Sequence, residues 1–360
     1  MKKNAEKNCP LNPRLGKVGG QAVMEGVMMR SPQQMATAVR RTDDQTIVVR
    51  TQPSTTVRSK YKILDLPLIR GVVNLIEMFI LSFSTLTAST EMMGLEEELH
   101  SEEPSKFEKW LEKHFGKNLM NVVSGFAMVL GILLAMGLFI ALPAFVTNLI
   151  FPEELDGDFW MNRLKCLVEG VLKVLIFIGY LYFTSLMKEI RRVYMYHGAE
   201  HKTIFCYEAG LELTVENVRK QSRFHPRCGT SFMFVMVFLS IIVSIAFIPN
   251  VWGWLRVLLK LLLLPVCVGL GYEFIRFAGK HDNAFVRFLA APGLWMQRIT
   301  TREPDDDMIE VAIVATKSAL HEEFAEFEIP YESEYLKKKE EAKKTEEEAN
   351  AGEGIQNETP

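Results

Sequence analysis

The chain has 360 residues and a formal net charge of −3 at pH 7. That length holds one large domain or two ordinary ones, and the near-balanced charge gives no signal for a specific nucleic-acid partner. Five cysteines, Cys9, Cys166, Cys206, Cys228 and Cys267, fall at no regular spacing, which argues against an extracellular disulfide scaffold. The apolar residues are gathered into long runs, which points to a bilayer.

The basic opening MKKNAEKNCPLNPRLGKVGG has no apolar stretch behind it and does not read as a secretory signal. Next, GGQAVMEGVMMRSP sets Gly19, Gly20 and Gly26 around Glu25. This predicts a tight turn into a helix, and no GK[ST] follows to make it a phosphate loop. MATAVRR and TIVVRTQ flank a TDDQ turn and predict an antiparallel hairpin between Met35 and Gln52. Residues 1–63 form a cytoplasmic N-terminal segment in this reading.

Residues 64–90 carry apolar bulk, but Arg70, Asn74 and Glu77 share one helical face. Crossing here would put the basic chain before it, Arg14, Lys17, Arg30, Arg40 and Arg41 among others, on the outside. A re-entrant or interfacial helix is expected instead of a fifth span.

A hydrocarbon core about 30 Å thick needs roughly 20 apolar residues in a helix. Four runs within residues 119–275 meet that need: Leu119 to Val146, Leu167 to Leu186, Thr230 to Ile248, and Trp254 to Ile275. Glu169, Lys173, Arg256, Lys260 and Glu273 fall inside the weaker two, and Pro265 predicts a kink or break in the last. Ala127, Gly131 and Ala135 would permit close packing in the first. Lys106, Lys109, Lys113 and Lys117 precede the first span, and Glu153, Glu154, Asp156 and Asp158 follow it. The loop 188–229 is basic, and so is the chain after the last span. These flanks predict a mainly α-helical polytopic membrane protein with four transmembrane helices, a small cytoplasmic α+β portion and both termini in the cytoplasm.

Residues 280–334 read as a cytoplasmic amphipathic segment. It comprises a helix over Asn283 to Ile299 interrupted by Pro292, then a helix opened by Pro304, with a strand over Val311 to Ala315 as its rival. Residues 335–360 lack apolar groups and predict disorder.

The sharpest chemical signal is YMYHGAEHKTIFCYEAG in the loop 188–229. His197 and His201, four apart, share a helical face and can grip one zinc ion, and Glu200 stands where it can take a proton from water. Gly198 weakens the helix that this needs. Glu208 lies almost two turns further along the same face. RFHPRCGTSF adds His225 and Cys228, so that four groups suffice for a closed structural site, while three would leave an open catalytic position. Glu273 is a further carboxylate near the same end of its span. The bland alternative is histidines that cap helices or meet lipid phosphates.

GGQAVMEGVMMR, HGAEHK, HPRCGTSF, GYEFIR and TTREPDDDMIEVAI together resemble the bacterial family of multi-pass membrane proteins of the Bacillus YqhQ type, from Gly19 to Ala319. The resemblance implies a membrane location and metal use, with Gln21, Glu25, His197, Glu200, His201, His225, Cys228 and Glu273 as its motif residues. It supplies no substrate. The leading expectation is a cytoplasm-facing zinc metalloprotein, a hydrolase on a lipid or membrane-protein substrate, with Glu200 or Glu25 activating water. A membrane scaffold stapled by structural zinc is the second reading. A small-solute transporter along Arg70, Asn74, Glu77, Glu169 and Lys173 is the third, and it would gain from a homodimer, since four spans are few.

Overall fold

The computed structural model describes residues 13–56, 58, 61–94, 119–151, 159–248, 251, 253–278 and 284–337. The lysines before the first span, the acidic residues after it and the tail from 338 on lie outside the described residues.

Four strands, β1 (Gly19–Val23), β2 (Gly26–Arg30), β3 (Gln34–Arg40) and β4 (Ile47–Pro53), form an antiparallel meander in chain order. The hairpin β3–β4 is the predicted one, with Val39 opposite Val48. The glycine-rich stretch before it is not a turn into a helix. It is a second hairpin, with Val23 opposite Gly26. Alternation explains the difference. Val27 and Met29 bury one face of the sheet, and Val23 joins Val39 and Val48 on the other. Gly26 permits close pairing, since a Cβ there would lie 2.3 Å from the Ala38 carbonyl oxygen.

After the sheet comes α1 (Ile69–Met92), an unbroken helix. Its first turn packs on the last apolar helix, where a Cβ on Gly71 would sit 2.9 Å from the Gly269 Cα. Arg70 Nε donates to Glu273 Oε1 at 2.6 Å, while Asn74 and Glu77 both partner Arg58. The predicted polar face is therefore filled by protein partners. Toward its other end, Ser82 donates to Gln21 Oε1 at 2.7 Å, and Met92 and Met93 pack with Val23, Val39 and Val48 of the sheet. Leu75, Ile76, Phe79, Ile80, Phe83 and Leu86 are left exposed.

The first expected span is α2 (Leu119–Met136), which passes through a wider π turn at Gly137–Ala141 into α3 (Leu142–Ile150). The next is α4 (Phe159–Thr184), followed after a short connector by α5 (Lys188–Glu208) and the short α6 (Val215–Arg219). Then come α7 (Gly229–Phe247) and α8 (Gly253–Ala278), the latter continuous through Pro265. Among the described residues, four helices are long and apolar enough to cross a membrane: Ile69–Met92, Gly125–Ile150, Phe159–Thr184 and Trp254–Phe274, with Met233–Phe247 a shorter apolar one. Gly131 has nothing within 4 Å of its Cβ position, so close packing falls elsewhere, at Gly170 beneath Ile241 and at Gly71.

Last are α9 (Ala284–Thr300), which packs on α7, and α10 (Asp306–Ala319). Residues 311–315 are helical, so the rival strand gives way. Val311, Ala312 and Ala315 turn onto the sheet beside Tyr196, Ala199 and Tyr207 of α5, forming the main core outside the apolar helices.

Candidate metal centre

Helix α5 carries the site. Its alternation of faces sends Ala199, Thr203 and Tyr207 into the core and leaves His197 and His201 on an adjoining stripe. Gly198 does not break the helix. Its Cβ position lies 2.1 Å from the carbonyl oxygen of Arg302, so only glycine lets the chain after α9 pass this close. The same crossing bonds Arg302 N–H to the Tyr194 carbonyl at 2.8 Å.

That close passage orients the histidines. His197 Nδ1 stands 2.9 Å from the Thr300 carbonyl, and His201 Nδ1 stands 2.6 Å from the Arg223 carbonyl. A neutral ring that donates through Nδ1–H keeps its lone pair on Nε2. Both rings thus present Nε2 toward Cys228, which occupies the N-cap of α7. His197 Nε2 is 3.1 Å from the sulfur, and the three ligand atoms lie within 4.8 Å of one another. The two rings meet edge to face, with centroids 4.4 Å apart.

His201 is 1% exposed, and its Nε2 has no hydrogen-bond partner among the described residues. Burial holds its imidazole below the usual value, against the opposing pull of the Cys228 sulfur. A buried nitrogen without a partner is costly unless something accepts its lone pair. Two imidazoles and a sulfur suit a borderline-soft divalent ion.

His225 stands beside this trio and outside it. Its ring is 5.4 Å from that of His201 and 4.7 Å from that of Phe205, while its Nε2 is 3.9 Å from Glu208 Oε2. Gln297 clamps its backbone, accepting the His225 N–H at 2.8 Å and donating to its carbonyl at 2.7 Å. Glu208 is held by Arg227 and by the Gly16 N–H, the latter at 2.8 Å. Its carboxyl lies below the usual range, since the bonds from His225 and Gly16 and the Arg227 charge outweigh the burial that raises it.

Glu200 is buried next to His197, and burial pushes its carboxyl up to about 7, against the His197 ring and the Gly20 N–H. Gly20 matters here, since a Cβ would come within 3.2 Å of Glu200 Cγ. Glu25 is placed differently. It forms the β1–β2 turn at φ 47° and is gripped by Arg192, whose Nε and Nη2 each reach its carboxylate at 2.5 Å. Tyr196 adds a bond at 3.3 Å. Glu273 is held by Arg70, and Gln21 is bound to α1 through Ser82. The partners that sequence reasoning missed are backbone carbonyls, those of Thr300 and Arg223, together with Gln297. A carbonyl leaves no mark in a sequence, and the one hint was a glycine inside H-x-x-E-H.

A family model described as a protein of unknown function (DUF1385) matches residues 66–322. The uncharacterized protein YqhQ of Bacillus subtilis (strain 168) is 35% identical over 302 residues, covering 82% of this chain and 89% of that protein. No solved structure matches.

Proposed function

The chain belongs to the DUF1385 family, and we propose that it is a cytoplasm-facing membrane metalloprotein in which His197, His201 and Cys228 hold zinc to hydrolyse a membrane-associated substrate. The observation that carries this reading is the convergence of two Nε2 atoms and one sulfur within 4.8 Å, with each Nδ1 tied to a backbone carbonyl. Three protein ligands leave a tetrahedral ion one position for water or substrate. Zinc bound there would polarise a carbonyl or phosphoryl oxygen and acidify water.

The chain's own part falls to Glu200. A carboxyl near 7 can take a proton from the attacking water and pass it to the leaving group. Glu25 is the weaker candidate base, since Arg192 occupies both of its oxygens. The basic flanks support a cytoplasmic location for this side and for both termini. On this reading α1 lies in the interface. Its two ends attach to the last turns of α8 and to the sheet, on one side of the bilayer, and its exposed apolar stripe meets lipid. A lipid headgroup or a membrane-protein segment is then the substrate within reach.

One observation favours a second reading. With His225 so close to His201, a turn of its ring away from Glu208 would close the site as a structural staple for a scaffold protein. Metal content of the detergent-purified chain, by elemental mass spectrometry beside a His197→Ala/His201→Ala double variant, tests both readings. About one zinc per chain, lost in the variant, is the expected result. Protein purified without chelator and free of stoichiometric metal would end the metalloprotein reading.

A further inference from the structure

A second polar cluster sits at the opposite end of α4 from the histidines. Asn162, Cys166, Glu169 and Lys173 recur at spacings of three and four, so they line one face of the helix. From Asn162 to Lys173 the stripe runs about 16 Å at roughly 1.5 Å per residue, close to half of a hydrocarbon core about 30 Å thick. Facing it, α8 supplies Arg256 and Lys260.

The cluster is buried and its charges do not balance. Glu169 and Arg256 are each 3% exposed and Lys260 is 9%. Glu169 pairs with Lys260 and, at 3.5 Å, with Arg256. Arg256 is further occupied by Asn162 Oδ1 and Cys166 Sγ, both at 2.9 Å. One turn deeper, Lys173 has Ser240 Oγ at 3.4 Å and no carboxylate within ion-pair distance among the described residues. Among the described residues, three cations thus face one carboxylate, an excess of two positive charges with Lys165 left out of the count. Such an excess inside an apolar bundle is strongly unfavourable unless an anion meets it or a lysine gives up its proton.

We propose that this cluster binds a phosphate group, free or on a lipid. A phosphate dianion matches the excess charge, and its oxygens can accept from the donors still open on the Lys173 and Lys260 ammonium groups. The site is separate from the metal centre, since Glu169 lies about 22 Å along the α4 axis from Thr184, at roughly 1.5 Å per residue, and the histidines are on the following helix, α5. It stands or falls independently of the zinc reading.

The test uses the full chain. One arm measures binding of radiolabelled inorganic phosphate to detergent-purified protein by equilibrium dialysis. The other follows retention of phosphatidic acid against phosphatidylcholine, by native mass spectrometry after release from nanodiscs. Saturable binding of one phosphate group per chain is expected, and the arm that shows it tells the free ion from the headgroup. Lys173→Met should weaken it at least tenfold, and Glu169→Gln, which removes the resident negative charge, should tighten it. Should Glu169→Gln fail to fold, Lys173→Met decides alone, because it gives up a single long hydrogen bond. No saturable binding in either arm by monodisperse wild-type protein, or binding that Lys173→Met leaves unchanged, overturns the proposal.

Discussion

His197 Nε2 lies 3.1 Å from the sulfur of Cys228, although the two residues are 31 positions apart and belong to different helices. Both positions are set by the backbone, because Cys228 occupies the N-cap position of α7 and the His197 ring is held by the Thr300 carbonyl. An arrangement fixed this way before any ion arrives lowers the ordering cost of binding one.

The trio and its neighbour separate by substitution. Cys228→Ser should cut zinc affinity at least about 100-fold, beyond the tens-fold typical of an outer partner. His225→Ala should leave one zinc per chain, since the His225 ring is engaged with Glu208 and Phe205. Competition against a chromogenic chelator reads both. Equal losses in the two variants would mean four protein ligands, and the open hydrolytic site would have to be given up.

Gly198→Ala tests the crossing that orients His197. The new methyl would stand 2.1 Å from the Arg302 carbonyl oxygen, a backbone atom that cannot swing aside. Overpacking of this kind costs about 1–3 kcal/mol, and the displaced strand of chain would carry the Thr300 carbonyl away from His197. A lower melting temperature in detergent together with weaker zinc retention is expected. A variant matching wild type on both counts would show that the close passage is unimportant.

The position of α1 can be read by labelling. Asp65→Cys and Thr90→Cys mark its two ends, and an interfacial helix predicts that a membrane-impermeant maleimide reaches both from the cytoplasmic face only. Labelling from opposite faces would make α1 a fifth span and put the sheet, which packs on Met92, on the far side from Glu273.

The joint between the N-terminal segment and the chain after α10 is sensitive to acid. Glu323, whose side chain is 28% exposed, pairs with Lys17 and accepts from the Tyr207 hydroxyl at 2.9 Å. The Lys17 bond, followed by that from Tyr207, holds its carboxyl below the usual value despite some burial. A depressed carboxylate contributes stability that is present above its unfolded pKa of about 4.3 and is lost as pH falls through the lower folded value. Glu323→Gln should therefore be less stable than wild type by up to about 1 kcal/mol at pH 7, a gap that closes below about pH 4. Denaturant titrations of both proteins at the two pH values measure it. A gap that persists in acid would assign the effect to packing.

Long-range order in this chain was legible where period and length carry it. Apolar runs long enough for a bilayer gave the helices of the membrane domain, and the flanking turn residues gave the β3–β4 hairpin. His197 and His201 were identifiable because spacing along a helix is a local property, and Cys228 because its residue type is chemically rare. Other features depended on what the chain meets after folding. GGQAVMEGVMMR became a hairpin because Val27 and Met29 had α5 and α10 to cover them. Pro265 stayed within a continuous helix. His225 stood aside because Glu208 and Gln297 hold it there. The sequence alone determined which groups could act as ligands, since their chemistry belongs to the side chains. Only the tertiary structure decided which of them converge, because that depends on backbone carbonyls at Thr300 and Arg223 that carry no residue-type signal and reach the histidines only when distant segments pack.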